Sequence, residues 1–163
     1  MNKDRVIRAV RIMAEKTGIY GMLGGQSVDV ENDGKPWRRT FSNYIYEHKT
    51  SALIEASMMV GAALAGASEA EIKVIEDSAR DIGLAFQIRD DILDVTSTTD
   101  ELGKSVFSDE KNDKTTYVTI EGIEKAKSDV EEISKRAVSA LQSLDRKNDF
   151  LEELVLMLVN RKK

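Results

Sequence analysis

The chain has no cysteine, one proline (Pro36) and one histidine (His48), and only 6% of its residues are aromatic. Without thiols, neither a disulfide framework nor a thiolate metal site can form, and a reducing compartment is compatible; the cytoplasm is the expected location. Proline and aromatic residues are scarce while Ala, Leu, Ile, Glu and Lys are plentiful, so the composition reads as all-α. Long apolar runs are also missing. The longest uncharged stretch, Ala56 to Ser68, has 13 residues, short of the roughly 20 that a membrane-spanning helix needs. The start, Met1-Asn2-Lys3-Asp4-Arg5, leads into a charged amphipathic pattern rather than the apolar core of a signal peptide. Basic residues are scattered singly and the net charge is −5, which excludes a basic surface for nucleic acid. At 163 residues the chain suffices for one domain with its own core.

Most prominent among what is present is Phe86-Gln87-Ile88-Arg89-Asp90-Asp91-Ile92-Leu93-Asp94, near the end of a long helical pattern. At 3.6 residues per turn Asp90 and Asp94 stack on one face, Gln87 sits one turn earlier on the same side, and Asp91 lies beside them. None of the three carboxylates has a Lys or Arg three or four positions away. Two carboxylates about 6 Å apart repel by roughly 3 kcal/mol at an effective dielectric near 20, so their charge must be answered from outside the helix. Oxygen-only ligands favour Mg²⁺, which binds through one or two carboxylates plus the phosphates of a substrate. A solvated acidic face is the competing reading; the flanking Phe86, Ile88, Ile92, Leu93 and Val95 argue for burial instead.

Around this stretch the periodicity predicts a helix from Asp4 to about Met22, with Val6, Val10, Met13, Thr17 and Tyr20 as its apolar stripe. Gly18, Gly21, Gly24 and Gly25 weaken it, either as a frayed end or where another helix or a ligand approaches bare backbone. A loop through Pro36 and Trp37 follows, and its Asp29 to Gly34 segment fails as a calcium loop because Thr40 stands where a bidentate Glu is required. Phe41 to about Ala65 reads as the next helix, capped by Ser42. Ser68 caps a long helix from Glu69 to about Val95, with Glu71 in its first turn and Ile72, Ile75, Ala79, Ile82 and Phe86 buried. Gly83, one turn before Gln87, leaves room on the ligand side. Residues 96 to 113 are polar and long enough to act as a lid; Gly103-Lys104-Ser105 there is not a P-loop, since Thr98 replaces its first glycine. Ile123, Ala126, Val130, Ile133, Ala137 and Leu141 mark a further amphipathic helix, and Phe150 to Val159 a short last one.

The acidic stretch, followed by Leu102-Gly103-Lys104, resembles the second aspartate-rich motif of the trans-polyprenyl diphosphate synthases, the farnesyl and geranylgeranyl diphosphate synthase family. Gly24-Gly25-Gln26 with Asp29, His48-Lys49-Thr50 and Lys114-Thr115-Thr116-Tyr117 match the same family in order and spacing along nearly the whole chain. Departures are Asp113 before the lysine, where the family usually has Gly, and Val118 after the tyrosine, where it usually has Pro. The family's first aspartate-rich motif has no counterpart in these residues. The chain is therefore expected to be the C-terminal half of a synthase, a helical bundle forming part of an isoprenoid-synthase fold, with little or no turnover alone.

The resemblance implies a Mg²⁺-dependent prenyltransferase that condenses an allylic diphosphate with isopentenyl diphosphate, homodimeric when full-length. It further implies that Asp90, Asp94 and, in an outer position, Asp91 serve the metal, and that Lys49, Lys104 and Lys114 hold diphosphate. Gln26 and Asp29 would border the allylic pocket, and Thr50 and Gln87 would present oxygen dipoles to a developing carbocation. His48 receives no catalytic role. A non-catalytic helical interaction module and a terpene-cyclising enzyme of the same fold are the alternatives. Lys49-Thr50 and Gly103-Lys104 favour chain elongation over cyclisation.

Overall fold

A computed structural model of the chain describes residues 2–32, 44–96 and 116–161, all helices and connecting turns, with no strand among them. The helices are α1 (Lys3–Thr17), α2 (Met22–Glu31), α3 (Ala52–Ala65), α4 (Glu69–Thr96), α5 (Tyr117–Glu121), α6 (Ile123–Gln142) and α7 (Asp149–Val159). A π-helical segment, Tyr46–Ser51, runs directly into α3. Helix α4 is the central element. It packs against α3 on one side and α6 on the other, while α1 lies against α3, α2 against the π-segment, and α7 against both α6 and α4.

Three apolar clusters run along α4. Near its start, Ile72 meets Ala9 and Ile12 of α1 and Met59 and Ala63 of α3. In its middle, Ile82 meets Ala137 and Leu141 of α6 and Val155 of α7. Towards its end, Ala85, Ile88 and Ile92 meet Ala126, Val130 and Ile133 of α6 and Val159 of α7. The entry of α4 is fixed by reciprocal capping: Ser68 N–H donates to Glu71 Oε2 at 2.7 Å and Glu71 N–H to Ser68 Oγ at 3.2 Å. The cap, Ile72, Ala79 and Ile82 are as expected, while Ile75 and Phe86 are only half-buried. Among the α6 positions expected to pack, Ala126, Val130, Ile133, Ala137 and Leu141 are all buried.

The first expected helix, Asp4 to about Met22, ends sooner, at Thr17, and after the break at 18–21 a second helix, α2, runs from Met22 to Glu31. Its expected stripe is also wrong. Val10, Met13 and Tyr20 are 63%, 42% and 85% exposed, and Ala9 and Ile12 point inward instead. The reason is electrostatic. Lys16, on the inward face, pairs with Glu55 of α3 and, at 2.6 Å, with Glu76 of α4, and Arg80 approaches Glu55 at 3.5 Å. Glu55 is only 3% exposed, so its charge needs these partners, and the network turns α1 to supply one. Asp29 sits on α2 rather than in a loop. Pro36, Trp37, Phe41, Ser42 and the lid expected at 96–113 lie outside the described residues, except that Thr96 ends α4.

Candidate functional site

The π-segment is where sequence and geometry meet, because it carries His48, Lys49 and Thr50. A π-turn is wider than an α-turn, and such turns recur at functional sites. Two glycines on neighbouring helices accommodate it. A Cβ on Gly25 of α2 would stand 2.6 Å from Lys49 N and 2.8 Å from His48 C; one on Gly83 of α4 would stand 2.6 Å from Ser51 Cα. Gly25 thus serves close helix approach, one of the two readings of the glycine run. Gly83 does not leave space for a ligand as expected, because the backbone of the π-segment fills it. His48 is committed to structure: its ring stacks on Tyr44 at 4.0 Å, and its Nδ1 lies 2.9 Å from Tyr44 O.

This wedge sets the side chains. Gln87 Nε2 donates to Thr50 Oγ1 at 2.9 Å, joining the two residues expected to act together although they are 37 positions apart. Lys49 Nζ donates to Asp29 Oδ2 at 2.6 Å, so the lysine of the π-segment and the aspartate of α2 form an ion pair. Gln26 is half-buried one turn before Asp29 on α2. Lys104 and Lys114 lie outside the described residues.

The three aspartates have different surroundings. Asp91 is buried, and its Oδ2 accepts hydrogen bonds from Tyr46 Oη and from the Tyr117 backbone N–H, both at 2.8 Å. It thereby ties the π-segment and α5 to α4. Replacing Tyr46 by Phe should lower stability by about 1–2 kcal/mol in urea denaturation, since a carboxylate buried among helices would lose one of its donors. Asp94 is 3% exposed. Asp90 has the most open side chain, 48% exposed, and pairs with Arg161 Nη2 at 2.9 Å. The charge of Asp90 is therefore answered by a cation of the chain itself, 71 residues away. Arg161 also stacks its guanidinium 3.7 Å above the centre of the Phe86 ring.

Among the described residues, no three carboxylates or imidazoles converge into a metal-holding cluster. The donor set still suits a hard cation. Asp90 and Asp94 lie one turn apart on α4, and Mg²⁺ takes one or two carboxylates with the rest of its shell from water and phosphate. Two clefts lie elsewhere: one of about 430 Å³ lined by Met58, Gly61, Leu141 and Leu151, and one of about 500 Å³ lined by Ile92, Val130 and Val159. Both sit between α-helical backs rather than at the Thr50–Gln87 junction. The functional contacts that sequence reasoning missed are Tyr46, Arg161 and the ion-pair role of Asp29. Tyr117 had the signal of lying in a quoted motif; Arg161 had none.

The polyprenyl synthetase family matches this chain over residues 1–154. Among curated relatives, geranylgeranyl pyrophosphate synthase 4 of Arabidopsis thaliana is 38% identical over 148 residues, covering 89% of this chain and 40% of the relative. The solved geranylgeranyl pyrophosphate synthetase of Pyrococcus horikoshii superposes with a TM-score of 0.85 at 25% identity, covering 99% of this chain and 61% of that one. A geranyltransferase of Helicobacter pylori, complexed with magnesium and isoprenyl diphosphate, gives 0.77 at 28% identity, with 98% and 52% covered. The chain thus spans 40–61% of the length of these proteins. No helix among the described residues is long and apolar enough to cross a membrane. With the family matched over almost its whole length and the same helices superposing on two solved synthases, the chain belongs to the polyprenyl synthetases.

Proposed function

We propose that this chain supplies the second aspartate-rich half of a prenyltransferase site. In that site an allylic diphosphate binds with Mg²⁺ and is extended head to tail by isopentenyl diphosphate. The observation that carries this reading is the 2.9 Å hydrogen bond between Gln87 and Thr50, which brings the His-Lys-Thr segment and the aspartate-rich helix to one point. With its amide N–H engaged by Thr50, Gln87 turns its carbonyl oxygen the other way. Together with the Thr50 hydroxyl it offers fixed oxygen dipoles where positive charge develops.

Asp90 and Asp94 would hold Mg²⁺, with Asp91 orienting α4 from its bonds to Tyr46 and Tyr117. Bound Mg²⁺ would supply Lewis-acid polarisation of the diphosphate leaving group. Lys49, with Lys104 and Lys114, would hold the diphosphate as point charges, and Asp29 keeps the Lys49 ammonium aimed until a phosphate oxygen competes for it. Gln26 would border the allylic chain. Such a site would have to exclude water, which would quench a carbocation. In the whole protein we place the reaction in the cytoplasm and in a homodimer. These 163 residues alone should bind without turning over, because the family's first aspartate-rich motif has no counterpart in them.

Calorimetric titration of the 163-residue chain with an allylic diphosphate, with and without millimolar Mg²⁺, tests this reading beside Asp90→Ala. Binding should require Mg²⁺ and weaken at least tenfold in the variant, the loss of about 1.4 kcal/mol that one metal ligand readily accounts for. Failure to bind either Mg²⁺ or the diphosphate would instead favour a helical interaction module. That alternative draws on Asp90 and Lys49 being charge-compensated within the chain.

A further inference from the structure

Arg161 follows the end of α7 and is tied to one face of α4 in three ways. Its Nη2 reaches Asp90 Oδ1 at 2.9 Å, its guanidinium lies over the Phe86 ring, and its backbone carbonyl accepts Nε and Nη2 of Arg89 at 3.1 and 2.8 Å. Phe86, Arg89 and Asp90 stand at i, i+3 and i+4, so one stripe of α4 receives the whole end of α7. The guanidinium is largely enclosed, with its side chain 20% exposed. Burial pushes the group below the ordinary arginine value, with Asp90 opposing and Arg89 adding to the shift. Its Nε–H is buried and has no acceptor among the described residues.

A guanidinium and a divalent ion compete for the same carboxylate oxygen, since each is a cation that Asp90 can neutralise. We propose that Arg161 is an exchangeable counter-cation of Asp90: it holds the carboxylate when no metal is bound, and metal binding displaces it and loosens the end of α7. The inference rests on the metal reading of Asp90 given above. The unfilled Nε–H makes the departure productive. A displaced guanidinium carries two adjacent donors, Nε–H and Nη2–H, in the fork that fits an anionic phosphate group. The C-terminal helix would thus report whether the aspartate-rich face is loaded.

The test uses the full chain, Arg161→Gln and Asp90→Ala, with Mn²⁺ as the probe. Free Mn²⁺ is followed by electron paramagnetic resonance, and α7 by amide hydrogen exchange. Arg161→Gln retains the backbone carbonyl that Arg89 grips, so the docking of α7 keeps its main-chain anchor. The expected result is Mn²⁺ affinity roughly fivefold higher in Arg161→Gln than in the unaltered chain, the upper range for a partly exposed ion pair. Mn²⁺ should also speed exchange in α7 of the unaltered chain but not in Arg161→Gln. A merely structural role would give the opposite sign, weaker metal binding in the variant. Equal or weaker affinity in Arg161→Gln, with binding still lost in Asp90→Ala, overturns the exchange and leaves the metal reading intact. Failure of all three chains to bind Mn²⁺ overturns both.

Discussion

Replacing Lys16 by Met should destabilise the protein by about 3–5 kcal/mol at neutral pH, the range for removing one partner of a buried ion pair. Lys16 bridges Glu55 and Glu76, and Glu55 is 3% exposed, so the variant leaves a carboxylate enclosed with only Arg80, 3.5 Å away, to answer it. Urea denaturation of Lys16→Met, Glu55→Met and the double variant separates the terms. Each single change should be costly, and the double should recover most of the loss, because two well-packed apolar side chains need no partners.

The pH dependence of the unaltered chain follows from the same contacts. Burial raises the Glu76 carboxyl, but hydrogen bonds from Lys16 and Lys73 outweigh it and hold the group below its ordinary 4.5. Its contribution is therefore complete above 4.5 and lost as pH falls through the lowered value. Burial lowers the Lys16 ammonium, yet Glu55 and Glu76 outweigh it and raise the group above its ordinary 10.5. That contribution is complete below 10.5 and lost as pH rises through the raised value. In Lys16→Met the acid-side loss from Glu76 should be smaller and complete at a higher pH, since Lys73, with Arg80 3.9 Å away, depresses it less than Lys16 and Lys73 together. The deficit relative to the unaltered chain should shrink in acid, where the contribution that Lys16 makes through Glu76 is lost. A deficit independent of pH would mean that lost packing, not charge, is responsible.

The second large effect concerns glycine. Gly83→Val should lower stability by about 3 kcal/mol, the upper end of ordinary overpacking. Its Cβ would enter the Ser51 backbone, 2.6 Å from Cα, and the π-segment cannot retreat because Gly25 of α2 closes the other side. The same change should separate Thr50 from Gln87 and so weaken diphosphate binding. Gly61 supplies the control: it lies inside α3 with nothing within 4 Å of an added Cβ. Gly61→Ala should therefore stabilise by about 0.5–1 kcal/mol, the usual gain from restricting an unfolded glycine. Thermal melts of the two variants moving in the same direction would refute the close-packing account of Gly83.

What the sequence disclosed follows the range of the interactions involved. The stacking of Asp90 on Asp94, the capping by Ser68 and the inward face of α6 depend on spacings of three or four residues, and all were legible. So was the partnership of Thr50 and Gln87, though only through the family's motifs. The inward face of α1 was misread because periodicity weighs Val10 and Met13 as core candidates. It cannot see that Lys16 must face Glu55, 39 positions away. The pairing of Asp90 with Arg161 was hidden for the same reason: a search for cations at i±3 and i±4 has no access to a second helix. Asp91 is a further case: its bonds to Tyr46 and Tyr117 are ones that the spacing gave no means to identify.

The π-segment has a genealogical consequence. A π-turn accommodates one residue more than the α-turn it replaces, and each residue of an α-helix advances the azimuth by about 100°. Losing a single residue between Tyr46 and Ser51 would let the helix regularise into α3 with its flanking turns in phase, but the side chains inside the segment would be redistributed around the axis. Lys49 and Thr50 could not then keep both Asp29 and Gln87 as partners. When relatives are aligned, a one-residue gap in this helix is therefore a change of which side chains meet α2 and α4. It should be read as a loss or rebuilding of the contacts with Asp29 and Gln87, not as a neutral adjustment of length.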